Sequence, residues 1–327
     1  MFMPDRDLSN SFRPIPLLHN PHVQTIVGFI WKGRSFRYPS RRHELQLSDG
    51  DRLVLHDSLP SGWQDGDPVA LLIHGMGGDH NSGYVQRVAA RLIPHGVRVV
   101  RIDLRGTGDG FEIAKKFYHG GRTEDIRESL EELHRWAPRS PLWIAGFSLG
   151  GNLALKLAGE AAGLPIPGMT RIAAVAPPID FVRCSELISL PKNRIYDRFF
   201  ARQLVRLAKI RETFHPDPPL PDFPPRLSIR QFDDLFTAPR CGFADALDYY
   251  RRASSWPLIP QIELPTLIVT ARDDPFVAIA PFEELTPPKS VRLEIQEHGG
   301  HLGFLGSDGA GGLRWVERRI VDWLIKG

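Results

Sequence analysis

Trp143-Ile144-Ala145-Gly146-Phe147-Ser148-Leu149-Gly150-Gly151-Asn152 is an apolar run that ends in a Gly-x-Ser-x-Gly pentad, and the chain continues as Leu153-Ala154-Leu155-Lys156-Leu157-Ala158. Pro141 to Ala145 has the length and composition of a buried strand. Leu149 to Glu160 carries Ala and Leu at helical spacing and stops near Gly163 and Pro165. A strand turning sharply into a helix holds Ser148 at the bend, and the small flanking residues suit a turn where neighbouring chains pass close. The pentad alone is a common pattern, and the strand before it and the helix after it are what give it weight.

Working outward, the chain from residue 43 alternates strand-like and helix-like segments, the order of a mostly parallel sheet covered by helices. His43 to Leu47 and Arg52 to Asp57 read as an opening hairpin through Ser48-Asp49-Gly50. Val69 to Ile73 is a short buried strand ending at His74-Gly75-Met76-Gly77-Gly78. Tyr84 to Ile93 reads as a helix stopped by Pro94 and Gly96, Val97 to Leu104 as a strand, and Arg122 to Trp136 as a helix. After the strand Arg171 to Val175, residues 181–260 break the alternation. They are rich in Pro, aromatics and Arg, with helical pieces expected near Arg198 to Ile210 and Phe243 to Arg252. We expect one domain over residues 1–327 with 181–260 as a helical cap inserted over the C-terminal edge of the sheet, where open α/β folds bind ligands. Alternation resumes with the strand Pro265 to Thr270, a helix near Phe282, the strand Val291 to Ile295 and a closing helix Leu313 to Ile325.

Of 327 residues, 42% are hydrophobic and 24% charged, which is ordinary globular composition. The net charge of +3 is spread along the chain, with no basic run longer than Ser40-Arg41-Arg42-His43, so no nucleic-acid partner is expected. Cys184 and Cys241 are the two cysteines, placed in no metal-ligand spacing, so neither a disulfide framework nor a metal site is expected and a reducing cytoplasm fits. Met1 to Asn10 is polar and lacks the apolar core of a leader, and no apolar run approaches the roughly 18 residues of a membrane span. A peripheral membrane contact stays open, and the oligomeric state is not legible.

Serine is a weak nucleophile at neutral pH and needs a base that is itself oriented by a carboxylate. The α/β-hydrolase order is Ser, then Asp or Glu, then His, each just after a strand. Ala271-Arg272-Asp273-Asp274-Pro275-Phe276-Val277 follows the strand ending at Thr270, and His298-Gly299-Gly300-His301 follows the strand ending near Ile295. Asp274 is favoured as the acid, with Asp273 and Asp180 as rivals. His301, behind two small residues, is favoured over His298. A tetrahedral intermediate also needs two backbone N–H donors, assigned here to Leu149, which follows the serine, and to Met76 in the glycine-rich loop. Gly106-Thr107-Gly108-Asp109-Gly110 lacks dinucleotide-loop spacing. His74 with Asp79 fits an HxxxxD acyltransferase pattern, but His74 already belongs to the oxyanion loop.

Several further motifs accompany these. They are Asn20-Pro21-His22-Val23-Gln24-Thr25, Arg105-Gly106, Tyr118-His119-Gly120-Gly121-Arg122-Thr123-Glu124-Asp125, Phe232-Asp233-Asp234 to Thr237-Ala238-Pro239, and Tyr249-Tyr250. With HGMGG at 74–78, GFSLGGN at 146–152, ARDDPF at 271–276 and HGGHLGF at 298–304, the chain resembles the YheT-like branch of α/β-hydrolases along nearly its whole length. The resemblance implies a serine hydrolase of carboxylic esters that needs no cofactor, with a small-molecule acyl ester as substrate. It carries Ser148, Asp274 and His301 over as the triad. Animal members of that branch act on acylglycerols and phospholipids and have an N-terminal membrane anchor, a segment this chain is not expected to have. Two alternatives stand beside the esterase: acyl transfer to an alcohol or thiol, and a ligand-binding protein with an idle triad. The Asn-Pro-His segment has no chemistry readable from its residues beyond bracing the N-terminal part against the core.

Overall fold

The computed structural model describes residues 12–16, 18–31 and 38–327. The stretch Met1 to Asn10 lies outside the described residues. In chain order the elements are α1 (Pro21–Ile30), β1 (Arg41–Gln46), β2 (Arg52–Ser58), β3 (Val69–Ile73), α2 (Gly83–Leu92), β4 (Arg98–Asp103), α3 (Glu124–Trp136), β5 (Leu142–Phe147), α4 (Leu149–Glu160) and β6 (Met169–Val175). They continue with α5 (Phe181–Ser189), α6 (Arg194–Phe214), α7 (Ile229–Phe232), α8 (Ala238–Cys241), α9 (Ala246–Ala253), β7 (Thr266–Ala271), α10 (Ala280–Glu284), β8 (Val291–Gln296) and α11 (Trp315–Lys326).

The strands form one sheet in the order β1-β2-β4-β3-β5-β6-β7-β8. β1 and β2 pair antiparallel, β2 joins β4 antiparallel, and every pairing from β4 to β8 is parallel. β3, β5 and β7 are buried at every residue, which is why they read as unbroken apolar runs instead of alternating ones. Two apolar clusters cover the two faces. One holds Leu71, Ile144, Ile172 and Ile268 with α3, α4 and much of α5–α9; the other holds Leu72, Ala145, Ala173 and Leu267 with α2 and α11.

Register places the site. Ile73 pairs with Gly146, so the loop after β3 lies beside the bend after β5. Ala271 pairs with Gln296, so the loops after β7 and β8 emerge together at the same edge. Parallel strands deliver their C-terminal loops to one edge, where chemistry from distant sequence positions can meet.

The expected elements between β6 and β7 need revision. The helix expected at 198–210 is the middle of the 21-residue α6, and α5 was not anticipated. Its signals were present, with Asp180 as N-cap accepting from the Arg183 N–H and buried Phe181, Cys184 and Ile188 at helical spacing. Among the described residues no helix is long and apolar enough to cross a membrane.

Candidate active site

Ser148 has φ +51° and ψ −119°, a region that residues with a Cβ rarely occupy. The surrounding chain holds it there. Its N–H donates to Val175 O at 2.9 Å, and its own carbonyl accepts from Gly151 and Asn152 N–H as α4 begins. A Cβ on Gly146 would collide with the Gly150 carbonyl, and one on Gly150 with the carbonyls of Ile73 and His74, so both pentad glycines are required by close backbone approach.

Ser148 Oγ lies 2.9 Å from His301 Nε2, and His301 Nδ1 lies 2.8 Å from Asp274 Oδ2. The other carboxylate oxygen of Asp274 accepts from the N–H groups of Phe276 and Val277 at 3.0 and 2.9 Å. With Asp274 occupied as an acceptor, the Nδ1–H tautomer follows, leaving Nε2 as acceptor for the serine hydroxyl. Asp274 is 6% and His301 8% exposed, so this hydrogen-bonded line is largely shielded from water.

The rival residues stand elsewhere. Asp273 accepts from Gly300 N–H at 2.9 Å and lies 3.3 Å from His298 Nδ1, so it holds the backbone of the histidine loop and leaves the His301 ring to its neighbour. Asp180 caps α5. His74 is fully buried; its Nδ1 lies 2.7 Å from Gly75 O and its Nε2 accepts from Leu104 N–H, so both ring nitrogens serve the loop and burial keeps the ring neutral.

The glycine-rich loop is pinned on both sides of Met76. Gly75 N–H donates to the Tyr84 hydroxyl at 2.9 Å and Gly77 N–H to the Tyr118 hydroxyl at 3.0 Å. Among the described residues, the N–H groups of Met76 and Leu149 donate to no protein acceptor. Both residues border the cavity that also contains Ser148 and His301. Two unengaged backbone donors beside a serine hydroxyl are an arrangement that can receive a developing oxyanion.

That cavity has a volume of about 440 Å³ and a mostly apolar wall, including Leu149, Phe181, Ile188, Phe200 and Phe276. Besides Ser148 and His301, its polar lining includes residues that sequence reasoning did not assign. Asp233 begins a π-helical turn (Asp233–Thr237) and accepts from the Thr237 and Tyr250 hydroxyls at 2.7 and 2.8 Å. Burial pushes its carboxyl up to about 7, with the nearby Asp234 adding to the rise. His119, held down to about 3 by burial and by surrounding arginines, is neutral. Cys184 also borders the cavity, and burial pushes its thiol up to about 12, so it is not a reactive thiolate.

Several motifs beyond the pentad brace these loops. Asn152 donates to Gly120 O and Ala253 O and accepts from Ser255 N–H, tying α4 to the loops on either side. In the Asn-Pro-His segment, the Thr25 hydroxyl accepts the His301 N–H at 2.9 Å, and Gln24, fully buried, accepts from Leu305 N–H and donates to Leu305 O. Helix α1 thus clamps the loop that carries His301. No periodicity could have indicated this contact, which spans 276 positions in sequence.

Among the described residues, one group could hold a metal ion. His56, His80, Asp103 and Asp109 bring ligand atoms within 4.8 Å of one another, from positions too scattered to form a spacing motif. Asp103 is already bonded by His56 Nε2, His80 Nδ1 and the N–H groups of His80 and Asp109, and Asn81 Nδ2 lies 2.8 Å from His80 Nε2. Those bonds account for the arrangement and fasten the segment that follows the glycine-rich loop to the end of β4.

The alpha/beta hydrolase fold family matches residues 68–308. Over 323 residues the chain is 34% identical to the YheT protein of Escherichia coli (strain K12), covering 97% of this chain and 93% of that one. It is 28% identical over 274 residues to a monoacylglycerol lipase of Saccharomyces cerevisiae (strain ATCC 204508 / S288c), covering 80% of this chain and 59% of the lipase. Among solved structures, the Pyrococcus furiosus esterase Pf2001 has a TM-score of 0.59 at 13% identity over 97% of this chain and 98% of its own, a likeness of fold. A family match over most of the chain, and a relative alike along nearly its whole length, mean that this chain belongs to the α/β-hydrolase family, in its esterase-like YheT branch.

Proposed function

We propose that the chain is a serine hydrolase of carboxylic esters that works through an acyl-enzyme. The observation that carries this reading is the continuous line from Ser148 Oγ through His301 to Asp274, with links of 2.9 and 2.8 Å. Ser148 Oγ attacks the ester carbonyl carbon as its proton passes to His301 Nε2. The carbonyl oxygen becomes an oxyanion held by the N–H groups of Met76 and Leu149. Asp274 keeps the imidazole in its Nδ1–H tautomer and stabilises the imidazolium. Collapse breaks the bond to the leaving alcohol, which takes the proton from Nε2. Water, deprotonated by the same imidazole, then attacks the acyl-enzyme, and the acid leaves as Ser148 regains its proton.

The apolar cavity suits an acyl chain, and the names of the related lipase and esterase agree with that substrate class. On this reading α5 to α9, over residues 181–260, form a cap on a single domain, and the two free cysteines suit a reducing cytoplasm.

The test is covalent labelling with a fluorophosphonate probe, with the modified peptide located by mass spectrometry. Labelling at Ser148 that disappears in Ser148→Ala, together with loss of p-nitrophenyl butyrate hydrolysis by about 10³-fold or more, is the expected result. A folded wild-type protein that takes no label and hydrolyses no simple ester would overturn the proposal in favour of a binding protein with an idle triad.

A further inference from the structure

Six of the twelve large apolar side chains exposed among the described residues lie at the mouth of the cavity, on α1, its C-cap and the N-terminal part of α6. On α1 and its C-cap, Ile26, Phe29, Ile30 and Trp31 are 47%, 69%, 68% and 45% exposed; on α6, Ile195 is 80% and Phe199 39% exposed. The two helices meet across the opening. Phe29 and Phe199 stand edge to face with ring centroids 6.0 Å apart, and His22 Nδ1 lies 2.9 Å from the Tyr196 hydroxyl. All of these apolar residues except Trp31 also border the cavity that contains Ser148, so one apolar surface runs from bulk solvent to the nucleophile.

Helix α1 is not a loosely attached segment. Its inner side is fixed by Gln24 and Thr25, and Arg314 donates to the carbonyls of Gly28 and Trp31 at its C-terminal end. An anchored helix that holds four large apolar groups in water needs a cover, because isolated soluble proteins rarely keep such a patch open.

Charge indicates what covers it. Of the charged residues of α6, six are basic and two acidic. Arg198, Arg202 and Arg206 recur every four residues on the side of the helix that carries Ile195 and Phe199. None of the three forms an ion pair among the described residues. Protruding Phe, Ile and Trp flanked by unpaired arginines are the composition of a helix that lies in a bilayer interface over anionic headgroups. A protein partner seated here would seal the cavity mouth, whereas a lipid surface leaves it open to a molecule partitioned in the bilayer.

We infer that the face built by α1 and α6 docks on an anionic lipid surface, with Phe29, Ile30, Trp31 and Ile195 inserted and Arg198, Arg202 and Arg206 against the headgroups. Delivery of an acyl ester from that surface rests on the esterase reading; the docking does not.

The experiment is sedimentation of the full chain with vesicles of phosphatidylcholine alone or with 30 mol% phosphatidylglycerol, using both wild type and Ser148→Ala, so that binding is scored independently of hydrolysis. Both proteins are expected to bind the anionic vesicles alike and to be released by raised salt. Phe29→Ser with Ile195→Ser, and separately Arg202→Glu with Arg206→Glu, should each lower partitioning about tenfold or more. The arginine pair should keep wild-type hydrolysis of soluble p-nitrophenyl butyrate, which reports that the variant is folded. Absence of binding to anionic vesicles at low salt, or binding that neither pair of substitutions weakens, overturns the inference. So does concentration-dependent self-association of the free protein that Phe29→Ser with Ile195→Ser abolishes, because the cover would then be a second copy of this chain.

Discussion

Thr25 contributes one hydroxyl, and that hydroxyl receives the backbone N–H of His301 while donating to Pro21 O at 2.7 Å. Replacing it with Val keeps the volume and leaves a buried N–H without an acceptor, at a cost of about 1–3 kcal/mol. Because that N–H belongs to the residue proposed as the base, we expect Thr25→Val to lower kcat on p-nitrophenyl butyrate about tenfold with little change in KM, as a small displacement of a positioned base does. Thr25→Ser should restore most of it. A Val variant with unchanged kcat and a raised KM would mean that the contact shapes the cavity and does not aim the imidazole. At the same scale, Asp273 and Asp274 are adjacent in sequence and divide their work. One carboxylate takes the Gly300 N–H and the other takes the His301 ring. The sequence favoured Asp274, which precedes Pro275, with Asp273 as a rival, and where the backbone points each carboxylate is what separates the two.

At the scale of elements, the bend between β5 and α4 depends on bare backbone. Gly150→Ala would drive a methyl into the carbonyls of Ile73 and His74, directly beneath the glycine-rich loop. The expected result is a fall in melting temperature together with a loss of ester hydrolysis of about 10²-fold, the size of effect from disturbing one oxyanion donor. An Ala variant with wild-type activity and melting temperature would argue against so tight an approach. The π-helical turn at Asp233 supports a prediction about pH. Burial raises its carboxyl to about 7 in the folded chain, against 3.8 as the reference value. The folded state therefore binds a proton that the unfolded state has released, and this contribution to stability is fully present below about pH 4 and lost as pH rises through 7. Asp233→Asn keeps an acceptor and a donor for Thr237 and Tyr250 and removes the titration. Melting temperatures measured from pH 5 to 8 should fall less with pH in the variant than in the wild type, and parallel curves would mean that Asp233 does not titrate there.

Across the whole molecule, stability rests on polar junctions between elements as well as on the two apolar clusters. Arg105, 2% exposed, pairs with Asp125 at 2.5 and 2.8 Å, with Asp49 at 2.6 Å and with Asp51 at 3.2 Å, joining the loop after β4 to α3 and the first hairpin. Arg105→Met would strand the buried carboxylate of Asp125, and we expect a loss of about 3–5 kcal/mol in urea unfolding. Arg105→Met with Asp125→Leu should recover part of it, and equal stabilities of the single variant and wild type would exclude the junction. The sequence by itself determined the architecture, because fully buried parallel strands must be apolar runs and their helices must be amphipathic, both local constraints on composition. It also brought Ser148, Asp274 and His301 into consideration, because each directly follows a strand in the order this fold demands. Only the tertiary structure decided which of two aspartates faces the histidine, that α1 clamps its loop, that Tyr84 and Tyr118 pin the glycine-rich loop, and that the apolar faces of α1 and α6 meet at the cavity mouth. Those contacts span nine positions between Gly75 and Tyr84 and 276 between Thr25 and His301, several of them are side chain to backbone, and local periodicity carries no record of such pairings until register and packing bring them together.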